Sequence, residues 1–159
     1  MKEKEYMRLE SDSIGTMEVP EDAYYGVQAL RAKENFPITG TKLHPVFIKN
    51  LAKIKRAAAI TNRKAGRLKP EIANAIEASA NEVICGMFDK DFIVDGIQGG
   101  AGTSANMNMN EVIANRAIEM LCGKKGDYTI VHPNDHVNMA QSTNDVIPTA
   151  GKLTVLDLL

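Results

Sequence analysis

No apolar run in this 159-residue chain approaches the ~20 residues of a membrane span. The opening residues, Met1-Lys-Glu-Lys-Glu-Tyr-Met-Arg8, hold no signal-peptide core. Neither sign of charge is in excess: 19 Lys and Arg stand against 20 Asp and Glu, and a net charge of −1 excludes the basic footprint of a nucleic-acid or anionic-membrane binder. Cysteine is scarce. Cys85 and Cys122 lie in apolar helical contexts and are expected as free, buried thiols, with no metal-ligand spacing around them. Repeats and low-complexity tracts are also absent. The expectation is a cytoplasmic, mainly α domain with a modest core.

What the chain does have is a glycine-rich turn, Gln98-Gly-Gly-Ala-Gly-Thr-Ser104, that opens a helical segment from Ala105 to Leu121. Glycines let the backbone approach a ligand closely, and the first turn of a helix points unpaired N–H groups outward. Thr103 and Ser104 stand where a hydroxyl either caps the helix or binds an anion. Asn106, Asn108 and Asn110 follow inside the helix, where asparagine competes for backbone hydrogen bonds and so needs another use. Positions 106 and 110 share a face and Asn108 does not, so one ligand is not expected to use all three.

Before this turn the pattern predicts a small β-hairpin near the N-terminus, strands 6–10 and 16–19 with Gly15 in the turn and Pro20 closing it. Asp22 is the expected N-cap of a short helix through Tyr24, Val27, Leu30 and Arg31. Pro45 begins a second helix, with Phe47, Leu51, Ile54 and Ala58 as its apolar stripe and Gly66 after its end. Pro70 begins a third, with Ile72, Ile76, Ala80 and Val83 inward and Gly86 beyond it. Residues 89–95 read as an extended run delivering the chain to the glycine turn.

A second polar constellation lies at Val131-His-Pro-Asn-Asp-His-Val-Asn138 and Gln141-Ser-Thr-Asn-Asp145. Ser142 and Thr143 precede another apparent helix, and Ser142 to Asp145 has capping-box spacing, so capping competes with ligand binding here too. Pro148 is too deep for a regular first turn from Ser142. His132 and His136 have the spacing of two helical metal ligands. Pro133 and a loop-like composition argue against a helix, no third ligand is evident, and no metal is expected. His44 reads as a surface loop residue, and Arg31 as solvated or paired bidentately with a carboxylate. The final run, residues 149–159, is apolar with no cap or polar tail, which suggests a helix continuing into a longer protein.

Three blocks together, Ala23-Tyr-Tyr-Gly-Val-Gln-Ala-Leu-Arg31, Gln98 to Val112, and His132 to Asp145, closely resemble in order and spacing the N-terminal region of the aspartase/fumarase superfamily. Tyr24-Tyr25-Gly26 stands where fumarases usually carry Leu-Trp-Gly, Gly99 to Ser104 where they read Thr-Gly-Ser-Gly-Thr-Gln, and Ser142-Thr143 where they have Ser-Ser. These details are similar to aspartate ammonia-lyases, whereas Val131-His132-Pro133 is written in the fumarase style. The motifs are unlike those of argininosuccinate and adenylosuccinate lyases.

The resemblance implies a superfamily-like N-terminal lyase domain over residues 1–141, with residues 142–159 starting the first long helix of a central bundle. It implies reversible elimination of ammonia from L-aspartate to give fumarate, through a dianionic aci-carboxylate, in a cytoplasmic homotetramer without a cofactor. Thr103, Ser142, Thr143 and Asn144 would contact this small dicarboxylate. His132, Asn134 and Asp135 match a loop linked to a second anion site in fumarases, with Arg31 as a further carboxylate partner. The family's catalytic serine on a Gly-Ser-Ser loop, its Thr-His pair and its Lys-x-Asn element have no counterpart here, so no catalytic base is expected in this chain and the fragment alone is expected to be inactive. The competing readings are a class II fumarase acting on malate and a non-catalytic binding module on the same fold.

Overall fold

Prolines at first helical positions and glycines just past helix ends punctuate this chain. In the computed structural model, which describes residues 6–159, Pro45 and Pro70 begin helices α2 (Pro45–Lys64) and α3 (Pro70–Ile84), following α1 (Val27–Asn35). Gly66 and Gly86 follow their ends. Helices α4 (Thr103–Met120) and α5 (Thr143–Leu158) complete a mainly α architecture. Strands β1 (Met7–Ser11) and β2 (Thr16–Pro20) form the antiparallel hairpin, with Met7 opposite Pro20 and Ser11 opposite Thr16. Residues 1–5 of the polar N-terminal stretch lie outside the described residues.

Helix α2 packs along α3 and α5, and α4 lies against α3. Ile76, Val83, Ile113, Ile118 and Leu51 fill the space between them. The buried face of α2 runs through Ile48, Leu51, Ala52, Lys55, Ala59 and Asn62, one position round from the expected stripe. Phe47 and Ile54 pack at its margin instead. The rotation follows from polar groups, Lys55 among them, taking part in the interior rather than facing water.

The hairpin holds α1 through charge. Arg8, on its inward face, donates to Glu10 Oε1 (2.8 Å) and to the carbonyls of Pro20 (2.7 Å), Ala23 (2.8 Å) and Tyr25 (2.9 Å). These bonds gather the turn that leads into α1.

Four expectations are corrected. Asp22 caps nothing: α1 starts after Gly26, and its N-terminal N–H groups are taken by carboxylates distant in sequence. Residues 89–95 are not all extended, since Asp89–Asp91 makes a 3-10 turn before Lys42 and Asp95 form a β-bridge. Cys85 and Cys122 are free but exposed, because they fall in the turns that end α3 and α4 rather than on a packed face. Pro133–Val137 is a single π-helical turn, in which the Asn138 N–H reaches the Pro133 carbonyl (3.0 Å).

Candidate functional site

The glycine turn is held from below. Asp95 accepts the Thr39 hydroxyl (2.7 Å) and the N–H groups of Thr39, Gly40 and Ile97, donors that keep its carboxyl well below the usual carboxylate range. Gln98 Nε2 donates to the Asp95 carbonyl (3.0 Å), and its Oε1 accepts the Ala105 N–H in the first turn of α4 (2.6 Å). Helix α4 starts at Thr103, two residues earlier than the pattern predicts, with Gly102 at the N-cap in the left-handed region (φ 84°). Thr103 and Ser104 therefore lie inside the first turn, and the cap makes no side-chain hydrogen bond. Thr103 is exposed at this helix N-terminus.

The turn is pressed against α5. A Cβ on Gly102 would lie 2.8 Å from Ile147 Cγ2, so only glycine allows this approach. At the start of α5, Ser142 is the N-cap and its Oγ accepts the Asn144 N–H (3.2 Å). Its hydroxyl proton is left to donate outward. Pro148 sits within the helix, and nearby the Asp145 carbonyl is taken by the Thr149 hydroxyl (2.6 Å). Thr143 is joined to α4: Asn106 Nδ2 donates to its Oγ1 at 3.0 Å. Two helix N-termini and the hydroxyls of Thr103, Ser142 and Thr143 are thereby brought to one end of the domain, an electropositive arrangement suited to an anion.

The three asparagines in the first half of α4 are all buried and divide their work. Asn106 belongs to the α5 junction. Asn108 is structural: its Oδ1 accepts the Ile93 N–H (2.9 Å) and its Nδ2 donates to the Asp91 carbonyl (2.9 Å). Asn110 donates weakly to Met107 Sδ (3.5 Å), and its Oδ1 has no partner.

The second cluster lies elsewhere. Arg31, His132 and Asn134 line a cavity of about 470 Å³ with Tyr128 and the hairpin tip. Arg31 is already paired, donating to both carboxylate oxygens of Asp12 at 3.0 Å. His132 Nδ1 accepts the N–H groups of Asn134 (3.2 Å) and Asp135 (3.1 Å), which puts its ring proton on Nε2. His136 Nδ1 accepts the His132 N–H (2.9 Å), and burial lowers the His136 pKa. Each imidazole thus has one nitrogen committed to the backbone. Among the described residues, no three His, Cys, Asp or Glu side chains gather as a metal cluster. His44 caps α2, its Nδ1 accepting the Val46 N–H (3.2 Å).

Two buried charges escape a reading of the sequence. Lys55 on α2 is fully buried, and its ammonium donates to Asn106 Oδ1 (2.7 Å), Asn138 Oδ1 (2.8 Å) and Gln141 Oε1 (3.1 Å). Burial lowers its pKa to about 7. Glu111 on α4 is fully buried beneath α1, and burial raises its carboxyl to about 7 against the pull of the N–H groups of Ala29, Gln28 and Gly26. The available signal was phase: Lys55 lies seven residues after Ile48, on the inward face of α2.

Residues 15–159 match the family model described as lyase. The chain is 55% identical over 157 residues to an aspartate ammonia-lyase of Bacillus subtilis, covering 99% of this chain and 33% of the relative. It is also 55% identical over 152 residues to a class II fumarate hydratase of Halobacterium salinarum, covering 96% of this chain and 32% of that one. The solved structure of a fumarate lyase:delta crystallin from Brucella melitensis superposes with a TM-score of 0.93 at 50% identity, over 95% of this chain and 36% of the other. The chain spans about a third of the length of these relatives. No described helix is long and apolar enough to cross a membrane.

Proposed function

Because this chain belongs to the lyase family, we propose that the full-length protein carrying it eliminates ammonia from L-aspartate to give fumarate, and that residues 1–159 supply the carboxylate-binding part of the site. One observation carries this reading: the N-termini of α4 and α5, with Thr103, Ser142 and Thr143, are tied together by the Asn106–Thr143 hydrogen bond. Removing a proton from Cβ beside a carboxylate builds up an aci-carboxylate dianion. Hydroxyl and helix-N-terminal donors held in place before the reaction stabilise that added charge without reorganising. Asn144, exposed on the first turn of α5, is assigned to the same ligand. Arg31, His132, Asn134 and Asp135 form an accessory anion site, in which His132 Nε2–H is a donor. The base that takes the Cβ proton comes from outside this chain, and neither metal nor cofactor is required.

Residues 142–159 belong, on this reading, to the first long helix of a bundle that assembles a cytoplasmic homotetramer. The test is fumarate formation, followed by ultraviolet absorbance, when full-length protein is given L-aspartate or L-malate. Turnover of aspartate is expected. Turnover of malate alone would replace the proposal with a fumarase reading, which Val131-His132-Pro133 and the Halobacterium relative favour. Turnover of neither would leave a binding module.

A further inference from the structure

We infer that Lys55 is a positioning residue: through Asn106 it fixes the direction of a hydrogen-bond chain so that the Thr143 hydroxyl must donate toward the ligand. This inference rests on the dicarboxylate reading of the α4–α5 junction. The Lys55 ammonium is at 0% exposure, and among the described residues its hydrogen-bond partners include no carboxylate. An ammonium has three protons to donate and cannot accept, and three amide oxygens meet it, one from α4 and two from the turn before α5. The oxygen of Asn106 therefore faces Lys55 at 2.7 Å, and its Nδ2 is forced to the opposite side. There it donates to Thr143 Oγ1 (3.0 Å) and to Asn138 Oδ1 (3.2 Å). With its oxygen already accepting from Asn106, Thr143 presents its proton to whatever lies at the mouth of the site.

The same ammonium anchors the turn. Asn138 Nδ2 donates to the Gln141 carbonyl (3.2 Å), and Gln141 Nε2 donates to the Val137 carbonyl (2.9 Å), so residues 138–141 close around the two oxygens that receive Lys55. Ser142 and Thr143 follow immediately. A reversible flip of Asn106 would point its oxygen at Thr143, make that hydroxyl spend its proton inward, and present a lone pair to an anion. In its protonated form Lys55 forbids the flip, because the Asn106 amide nitrogen would then face an ammonium, which only donates. The residue thus sets polarity without touching ligand.

Two variants of the full-length protein test this. Asn106→Asp keeps an acceptor for Lys55 but removes the Nδ2 donor to Thr143, so the fold is retained while the hydroxyl turns inward. A tenfold or greater fall in kcat/KM for aspartate, with the thermal transition unchanged or raised, is expected. A kcat/KM within twofold of wild type would overturn the polarity argument. Lys55→Met fills the same space without the donors and is expected to speed amide exchange at least tenfold in a peptide covering residues 138–146, with α3 unaffected. Unchanged exchange would overturn the anchoring role. If Lys55→Met does not fold, the same exchange measurement on Asn106→Asp decides, with protection retained in 138–146 expected and its loss contrary. Wild-type protein without turnover of aspartate or malate would sink the lyase reading alone, and the exchange measurements would still decide the role of Lys55.

Discussion

Glu111 Oε2 accepts the backbone N–H of Gly26 at 3.0 Å across 85 residues of sequence, and the same carboxylate takes the N–H groups of Gln28 (2.9 Å) and Ala29 (3.0 Å). Glu10 Oε2 takes the one between, Val27 (3.0 Å). All four donors that open α1 are therefore capped by two carboxylates from α4 and the hairpin, which locks three elements that share no local sequence signal. Glu111→Gln keeps the volume but turns an NH2 toward groups that only donate. A loss of about 1–3 kcal/mol in stability is expected, read from urea unfolding. Stability equal to wild type at pH 8, where the carboxylate is ionised, would mean that these bonds carry no net energy.

Gly26 is where this cap admits no side chain. A Cβ there would lie 2.3 Å from the Tyr128 hydroxyl, 2.6 Å from Glu10 Oε2 and 2.8 Å from Glu111 Cδ. The reason is space alone, since its φ of −119° suits any residue. Gly26→Ala is expected to cost about 3 kcal/mol or more. Gly151, inside α5 with nothing within 4 Å of its added Cβ, is the contrast: Gly151→Ala should stabilise this chain by about 0.5–1 kcal/mol. Thermal midpoints moving in the same direction for both would contradict the packing account.

How legible this was depends on where each partner sits in sequence. Pro45, Gly66, Pro70 and Gly86 mark α2 and α3 correctly because an N1 proline and a glycine beyond a helix act on their own neighbours. Ser142 likewise caps α5 as its spacing suggests. The start of α1 is not legible at Asp22 because its caps, Glu10 and Glu111, arrive through tertiary packing. The stripe Phe47, Leu51, Ile54 and Ala58 lies one residue away from the buried face of α2 because that face includes Lys55, and a lysine at a buried phase is recognisable only when its three amide partners are in view. The need of helix-interior asparagines for polar partners holds for Asn106 and Asn108 but not for Asn110, whose Oδ1 has none, and only the fold separates Asn106, at the junction, from Asn108, which ties down residues 91–93.

Two of the buried titratable groups, Glu111 and Lys55, give stability a shape in pH. Glu111 titrates at about 7 in the folded chain against an ordinary 4.5, so between those values the folded state holds a proton that the unfolded state has released. Its contribution falls as pH rises from 4.5 to 7. Lys55 titrates at about 7 against 10.5, so between those values the unfolded state holds the extra proton, and its contribution rises from pH 7 to 10.5. The changes are on the order of 3 kcal/mol for Glu111 and 5 kcal/mol for Lys55, and together the two groups place a minimum near neutrality. Urea midpoints across pH 4.5–10 are expected to show it. Glu111→Gln should flatten the acid limb and Lys55→Met the alkaline limb; an unaltered profile in both variants would assign the pH dependence to other groups.

The junction of α4 and α5 can be probed from its two sides. Thr103 is exposed in the first turn of α4 and is not its N-cap, so Thr103→Ala should leave the thermal transition within a degree or two while lowering kcat/KM by one to three decades, as loss of one preorganised donor does. An early transition with kcat/KM preserved would make it a helix-stabilising residue only. Gly102→Ala acts differently. Its φ of 84° strains any side chain, by about 1–3 kcal/mol, and the new methyl meets Ile147 at 2.8 Å, so the variant should lose stability and displace the start of α5. Adding Ile147→Ala removes the collision and leaves the strain. The double variant should therefore regain kcat/KM over Gly102→Ala while remaining less stable than wild type. If it regains nothing, the contact between the glycine turn and Ile147 does not govern where Ser142, Thr143 and Asn144 are held.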